Sequence, residues 1–306
     1  MNQSKGILLV LSTAIISGVS IYVNALGVKF ANPYVFTGLK NLFVGAALLS
    51  LILVFKEWRE IKKLTHRQWK QLWLIGFIGG SVPFLLFFKG LSMTMAAQGS
   101  FIHKTMFIYV GFLAIIFLKE KINKSLLLGL GALLAGNVLF LGIKSVGLNW
   151  GDGLVLLATL LWAVEIVIAK KALTEISPRV VAWGRMFFGA IFIFIFLICT
   201  RQVDAVFTYN PEQWKWIAIT SLFLFGYVVT FYHGLKYVRA SVATAVLALG
   251  APITGLTTLI AQGGIKWTIG QWWGFILMLI GIAFIIGWRG MRGMVKFTWE
   301  RSNVIK

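Results

Sequence analysis

Ten apolar blocks, each about 20 residues long and joined by short polar stretches, leave this chain few ways to fold. They fall at 5–27, 33–55, 71–91, 95–118, 125–143, 151–173, 178–199, 214–235, 241–261 and 271–288. Wound as a helix at 1.5 Å per residue, each block crosses a hydrocarbon layer of about 30 Å. A soluble core would interrupt such runs with polar faces, and a chain that is 59% hydrophobic with a mean hydropathy of +0.87 has little polar surface to offer. The sequence predicts an all-α integral membrane protein with ten transmembrane helices in a single bundle.

The net charge of +20 does not point to nucleic acid, because the cations do not form a basic face on a soluble domain. Twenty of the 29 Lys and Arg lie in the N-terminus, in the joints 56–70, 119–124, 170–179 and 236–239, and in the C-terminal tail, while five lie in the alternate joints. The positive-inside rule then places both termini in the cytoplasm of a multi-pass protein of the cell (plasma) membrane. The joint KEWREIKKLTHRQWK (Lys56 to Lys70) carries six of the twenty and reads as a topology anchor against anionic lipid. Trp58, Trp69, Trp73, Trp150, Trp214, Trp216, Trp267, Trp272, Trp273 and Trp288 lie near span ends, where indoles favour the headgroup level. The first apolar block is longer than a signal core and lacks a small-residue cleavage site, so it is expected to stay as a helix. Cys199 stands alone, which rules out an intrachain disulfide or a cysteine metal site.

PYVFTGLKNLF (Pro33 to Phe43) and PRVVAWGRMFF (Pro178 to Phe188) share one layout 145 residues apart: proline, valine two on, a cation seven on and phenylalanine ten on. FFKGLSMTMAAQGS (Phe87 to Ser100) matches FYHGLKYVRASVAT (Phe231 to Thr244) at an offset of 144, and Gly129 and Gly136 match Gly274 and Gly281 at 145. The chain is therefore a repeat, with a first five-helix unit at 1–148, a second at 149–290 and a basic cytoplasmic tail at 291–306. Five spans per unit is an odd number, so the second copy enters the membrane from the other side. Two inverted units meet at a pseudo-two-fold axis and can rock about a central site.

These features together resemble the EamA type of the drug/metabolite transporter superfamily: ten spans in two halves, the Pro-x-Val-x4-Lys/Arg layout, FLKEKI after span four, and Gly-x6-Gly in spans five and ten. The resemblance covers nearly the whole chain. It implies export of amino acids or other metabolites, with relatives carrying drugs, nucleotide sugars or lipid-linked groups. Three departures stand beside it. Pro252 has no partner in the first half, which reads MFIYVG; Glu120 of FLKEKI is echoed by Gly264; and His103 and Lys104 sit side by side in span four.

A charge at bilayer depth costs about 2.5–3.5 kcal/mol on insertion scales, so such residues face a bundle interior or an aqueous cavity. Lys40, seven residues after Pro33, lies ~10 Å below the outer boundary, and Arg185 lies about as deep from the inner side. Glu165, 14 residues into span six, lies ~9 Å from the inner side, and the short joint to span seven brings it toward Arg185 as a static or switchable ion pair. Of His103 and Lys104, about 100° apart on a helix, the lysine is expected to face the cavity and the histidine to pack. Lys89 and His233 lie near span ends, where they can reach the interface. Four intramembrane cations against Glu165 make the cavity electropositive, which favours an anionic or zwitterionic small metabolite. The candidate substrate-binding residues are Lys40, Lys104, Arg185, Trp183, Tyr22 and Asn41, with Trp162, Phe101, Tyr109 and Tyr227 as further aromatic walls and Asn24, Gln98 and Ser17 as hydrogen-bonding groups. Ser81 and Pro83 are placed to break span three beside the cavity.

An enzyme is not expected, because no nucleophile with a base, no metal-ligand spacing and no carboxylate pair is visible, and no cofactor is implied. Without an ATP-binding loop, transport would be gradient-driven, by proton coupling, exchange with a counter-substrate, or facilitated diffusion. The rival reading is a channel or a lipid-headgroup flippase built on the same cavity.

Overall fold

The computed structural model describes residues 3–121, 123–141, 149–263 and 267–304, and the side chains among them up to residue 287. Ten long helices run along the described residues: α1 (Gln3–Gly27), α2 (Pro33–Val54), α3 (His66–Leu91), α4 (Ala96–Leu118), α5 (Lys124–Leu141), α6 (Trp150–Ala172), α7 (Pro178–Cys199), α8 (Pro211–Tyr237), α9 (Ala240–Ala261) and α10 (Ile269–Val304). Nine have the length and hydropathy to cross a membrane, and α5 is a shorter apolar helix. The protein is thus a multi-pass helical membrane protein. Large apolar side chains such as Phe112, Leu128, Ile198 and Leu222 are exposed on its outside.

Local sequence sets where the helices begin. Asn32, Ser177 and Asn210 each accept a backbone N–H ahead of a proline at the first helical position, where the missing N–H costs nothing. Thr65 with Gln68 and Asn149 with Asp152 form reciprocal capping boxes. The third helix starts at His66, five residues before the predicted span, because that box carries the helix into the polar joint. The tenth helix runs past the expected end at Trp288 to Val304, after a break at Gly287, whose φ of 70° suits glycine. The ends of the predicted fifth span (142 and 143), the boundary at 148 and Gly264 lie outside the described residues.

Hydrogen bonds sort the joints onto two faces. On one, Glu57 pairs with Arg179 at 3.1 Å, Glu60 accepts from the Ser177 amide at 2.7 Å, Lys170 donates to the Leu235 and Val238 carbonyls at 2.6 Å, and Arg239 donates to the Lys121 carbonyl. Burial pushes the Glu57 carboxyl up from its ordinary range, and the Arg179 guanidinium pulls against that rise. On the other face, Asn32 donates to Gln202 and Gln213 donates to the Phe30 carbonyl. There too the buried Asp152 accepts from Thr94 and Gln98, both at 2.7 Å, tying the start of α6 to the start of α4.

The Glu120 carboxylate belongs to the first face. It accepts from the Ala240 amide at 2.7 Å and from the Ser241 hydroxyl at 2.5 Å, so it caps α9 from the end of α4. Glu120→Gln is expected to lower stability in detergent by about 0.5–2 kcal/mol, the range for loss of an N-cap. Thermal unfolding measures it, and an unchanged midpoint would show that the anchor is energetically idle.

Packing repeats the sequence symmetry. Helix α1 lies on α8 as α6 lies on α3, and α9 lies on α1 as α4 lies on α6; α2 with α7 and α5 with α10 are self-paired. At the α5–α10 crossing a Cβ on Gly129 would stand 2.7 Å from the Gly281 carbonyl, and one on Gly136 would stand 2.6 Å from that of Gly274. The backbones touch there because no side chain intervenes. Helix α9 breaks at Ala248–Leu249, where Pro252 has no N–H for the Ala248 carbonyl. Helix α4 breaks too, at Thr105, although it has no proline: the Thr105 hydroxyl donates to the Ile102 carbonyl at 2.7 Å.

Candidate functional site

The central cavity lies between the two repeats, walled by α1, α2, α3 and α4 from the first and α6, α7 and α8 from the second. On α1 its wall is Ser17, Ser20, Ile21 and Asn24, spaced 3, 4 and 7 along one helix face. Phe84, Phe87 and Phe88 on α3, Trp162 on α6, and Tyr227 and Phe231 on α8 add an aromatic part to the wall. The centre of a water molecule can move through about 80 Å³, several times the room one ordered water needs.

The third helix shapes the charged end. Pro83 cannot donate to the carbonyl four residues back, that of Gly79, and the helix relaxes into a π turn over Gly76–Ser81. The Gly79 carbonyl accepts from Trp162 Nε1 at 2.8 Å and from Arg185 Nε at 3.2 Å, and the Gly80 carbonyl accepts from Asn41 Nδ2 at 2.5 Å. Both residues must be glycine: a Cβ would stand 2.3 Å from the Glu165 side chain at Gly79 and 2.0 Å from the Arg185 carbonyl at Gly80.

Arg185 and Glu165 stand 3.9 Å apart, both buried, and Tyr232 bridges them. Its hydroxyl donates to Glu165 Oε1 at 2.5 Å and accepts from Arg185 Nη1 at 3.2 Å. The other carboxylate oxygen of Glu165 has no hydrogen bond among the described residues.

Lys40 occupies the counterpart position with different company. Its ammonium donates to Asn24, which itself donates to Ser20, and it sits over the rings of Phe88 at 4.2 Å and Phe36 at 4.9 Å. The offsets of 144 and 145 pair Lys40 with Arg185, Phe88 with Tyr232 and Ser20 with Glu165. The second half therefore gives its cation a carboxylate and a phenol, where the first half gives an amide and two rings. Lys40 is 1% exposed and has no carboxylate within ion-pair distance among the described residues.

Four of the six candidate substrate-binding residues lie elsewhere. Lys104 turns behind α1, donating to Ser17 Oγ at 2.6 Å in the space left by Gly250, and His103 lines the cavity instead, packed at 5.0 Å on Trp162 and 5.3 Å on Phe87. Sequence had assigned the two the opposite way; the ammonium goes to the hydroxyl and the imidazole to the aromatic wall. Tyr22 is half-buried off the cavity, one step of about 100° around α1 from Ile21. Trp183, two residues before Arg185, faces the other side of α7 and stacks on Phe187 at 5.0 Å. Asn41 supports the π turn rather than the cavity wall. Of the further aromatics, Trp162 and Tyr227 line the cavity while Phe101 and Tyr109 do not. Gln98 serves the Asp152 cluster. Tyr232 was not singled out from sequence; the signal for it was its register with Phe88 in the repeat.

A bundle of two repeats closing on a buried cavity that holds Lys40, Arg185 and Glu165 has an architecture that suits a membrane transporter. The chain belongs to the EamA-like transporter family, whose profile matches twice, over residues 4–142 and 149–287. It is 26% identical to an uncharacterized transporter of Archaeoglobus fulgidus over 80% of this chain and 85% of the relative. It is 25% identical to the uncharacterized transporter YyaM of Bacillus subtilis over 80% of this chain and 81% of that protein. A solved crystal structure shares the fold with a TM-score of 0.67 at 16% identity, covering 90% of this chain and 94% of that one.

Proposed function

We propose that the protein is a gradient-driven carrier of the plasma membrane that exports amino acids or related small metabolites by alternating access, with both termini in the cytoplasm. The observation that carries the substrate reading is Lys40: a buried ammonium on the cavity wall, held by an amide and two rings and lacking a carboxylate partner among the described residues. A buried charge calls for a counter-charge. A substrate carboxylate supplies it, and the aromatic wall takes the apolar part of the same molecule. The Glu165–Arg185–Tyr232 cluster is the second element, opening and closing as the substrate or a proton competes for it.

Saturable counterflow in proteoliposomes, after a metabolite panel has been screened by thermal stabilisation, tests the carrier reading. Flux at channel rates without saturation would overturn it, and headgroup flipping in place of solute flux would favour the flippase. In the same assay the near-isosteric Glu165→Gln is expected to slow counterflow by about tenfold, equal to ~1.4 kcal/mol of barrier. Unchanged transport by folded Glu165→Gln would leave the pair as a static brace and remove the gate.

A further inference from the structure

A second cavity lies apart from the central one, between α4, α5, α9 and α10. By the same measure it holds about 130 Å³, and its wall includes Phe101, Asn137, Phe140, Ala251, Thr258 and Gln271. Asn137 is 1% exposed, and neither its amide nitrogen nor its amide oxygen has a hydrogen-bond partner among the described residues. Each buried polar group left unsatisfied costs about 1–3 kcal/mol. A fold that keeps a whole carboxamide in that state points to something that pairs with it.

The pseudo-two-fold axis supplies an internal control. The offset of 144 between α4 and α9 sets Phe107 against Ala251, and the offset of 145 between α5 and α10 sets Leu126 against Gln271 and Asn137 against Ile282. Phe107, Leu126 and Ile282 pack with Leu133 and Met278 into a buried apolar cluster. The same place on the other side of the axis is also open, as a groove of about 460 Å³, but its wall beside Phe107, Gly111, Ile115 and Leu126 is almost wholly apolar. What sets this side apart is therefore its chemistry and not its volume: Asn137 and Gln271 stand where the other half has Ile282 and Leu126. An accident of loose packing would explain the volume but not the change of chemistry.

The lining defines the occupant. Among the described residues it contains no charged side chain, so an ionic ligand would lose its hydration without a counter-charge there. The Asn137 carboxamide offers donors and an acceptor together, which suits a ligand carrying both a hydroxyl and a carbonyl. Phe101 and Phe140 suit an apolar body next to them. Trp267 packs on Phe140 at 5.2 Å and on Trp272 at 4.7 Å, its own Nε1 has no partner among the described residues, and Trp272 and Trp273 are exposed at this end of α10. Indoles gathered in this way mark the headgroup level, where the glycerol and ester groups of lipids lie.

We propose that this cavity is a binding site for an uncharged membrane glycerolipid. The Asn137 amide pairs with a glycerol hydroxyl and an ester carbonyl, while the start of the acyl chain lies along Phe101 and Phe140. The site is independent of the central cavity and of whatever that cavity carries.

The test uses the full-length protein in mild detergent, with 1-monooleoylglycerol as probe and 1-octadecene and dioleoylphosphatidylglycerol as controls. Thermal unfolding and native mass spectrometry are the readouts. Wild type is expected to show a saturable rise in melting temperature with 1-monooleoylglycerol that neither control reproduces. Ala251→Phe, which puts a ring of the size of Phe107 into the smaller cavity, is expected to abolish that rise. Asn137→Leu is expected to weaken the half-saturating concentration by about tenfold, and to raise the lipid-free melting temperature because an unpartnered amide is gone. Equal responses of wild type and Asn137→Leu, or a lower lipid-free melting temperature in Asn137→Leu, would overturn the proposal. These readings stand even if Ala251→Phe does not fold.

Discussion

Arg185→Met is expected to destabilise the folded protein by about 3–5 kcal/mol, the range for removing one partner of a buried ion pair. The substitution leaves the Glu165 carboxylate with Tyr232 as its remaining partner, deep between helices and 0% exposed. It also withdraws one of the two side-chain donors to the Gly79 carbonyl, leaving Trp162 Nε1, where the helical donor is already missing because residue 83 is proline. Arg185→Met combined with Glu165→Gln is expected to recover much of the loss, since an uncharged pair carries no stranded charge. Thermal unfolding of the two single variants and the double variant in detergent gives the coupling between them. If the double variant is no more stable than Arg185→Met, the arginine acts through the α3 carbonyl and the packing of α7, and the ion pair is incidental to stability.

Lys40→Met is expected to do the opposite to stability and more to transport. Methionine keeps most of the length and removes an ammonium whose neighbours are Asn24, Phe36 and Phe88, so the melting temperature should hold or rise. Counterflow of an anionic or zwitterionic substrate should fall by about a hundredfold, equal to ~2.7 kcal/mol. Lys40→Arg should retain part of the activity, because the charge stays while the geometry changes. Wild-type flux in folded Lys40→Met would remove the substrate carboxylate from this position.

The fold was legible because its signals are long and redundant. Span length, the bias of Lys and Arg between alternate joints, tryptophans at span ends and the 145-residue register all state the same bundle. The approach of Glu165 to Arg185 was legible for a similar reason: a short joint links their helices and their depths match. Side-chain direction was harder to read. His103 and Lys104 differ by one helical step, and which of them faces the cavity depends on where Ser17 and Gly250 lie, on helices remote in sequence. Trp183 and Tyr22 were assigned by residue type, but their place around the helix turns them away once Arg185 and Ile21 fix the cavity face. The Thr105 break carries no proline, and Tyr232 shows only through its register with Phe88. The Asn137 cavity has no sequence signal of its own, because it arises from what the facing helices fail to fill.

The glycine crossing of α5 and α10 limits how the two units can shift against one another. One of these helices closes each unit, and they are pressed backbone to backbone at Gly129–Gly281 and again at Gly136–Gly274. Sliding along that line would drive neighbouring side chains into main-chain atoms. If the two units rock as proposed, the line would work as the spine of a book: the covers would swing, the binding would stay shut, and the substrate would leave by the fore-edge.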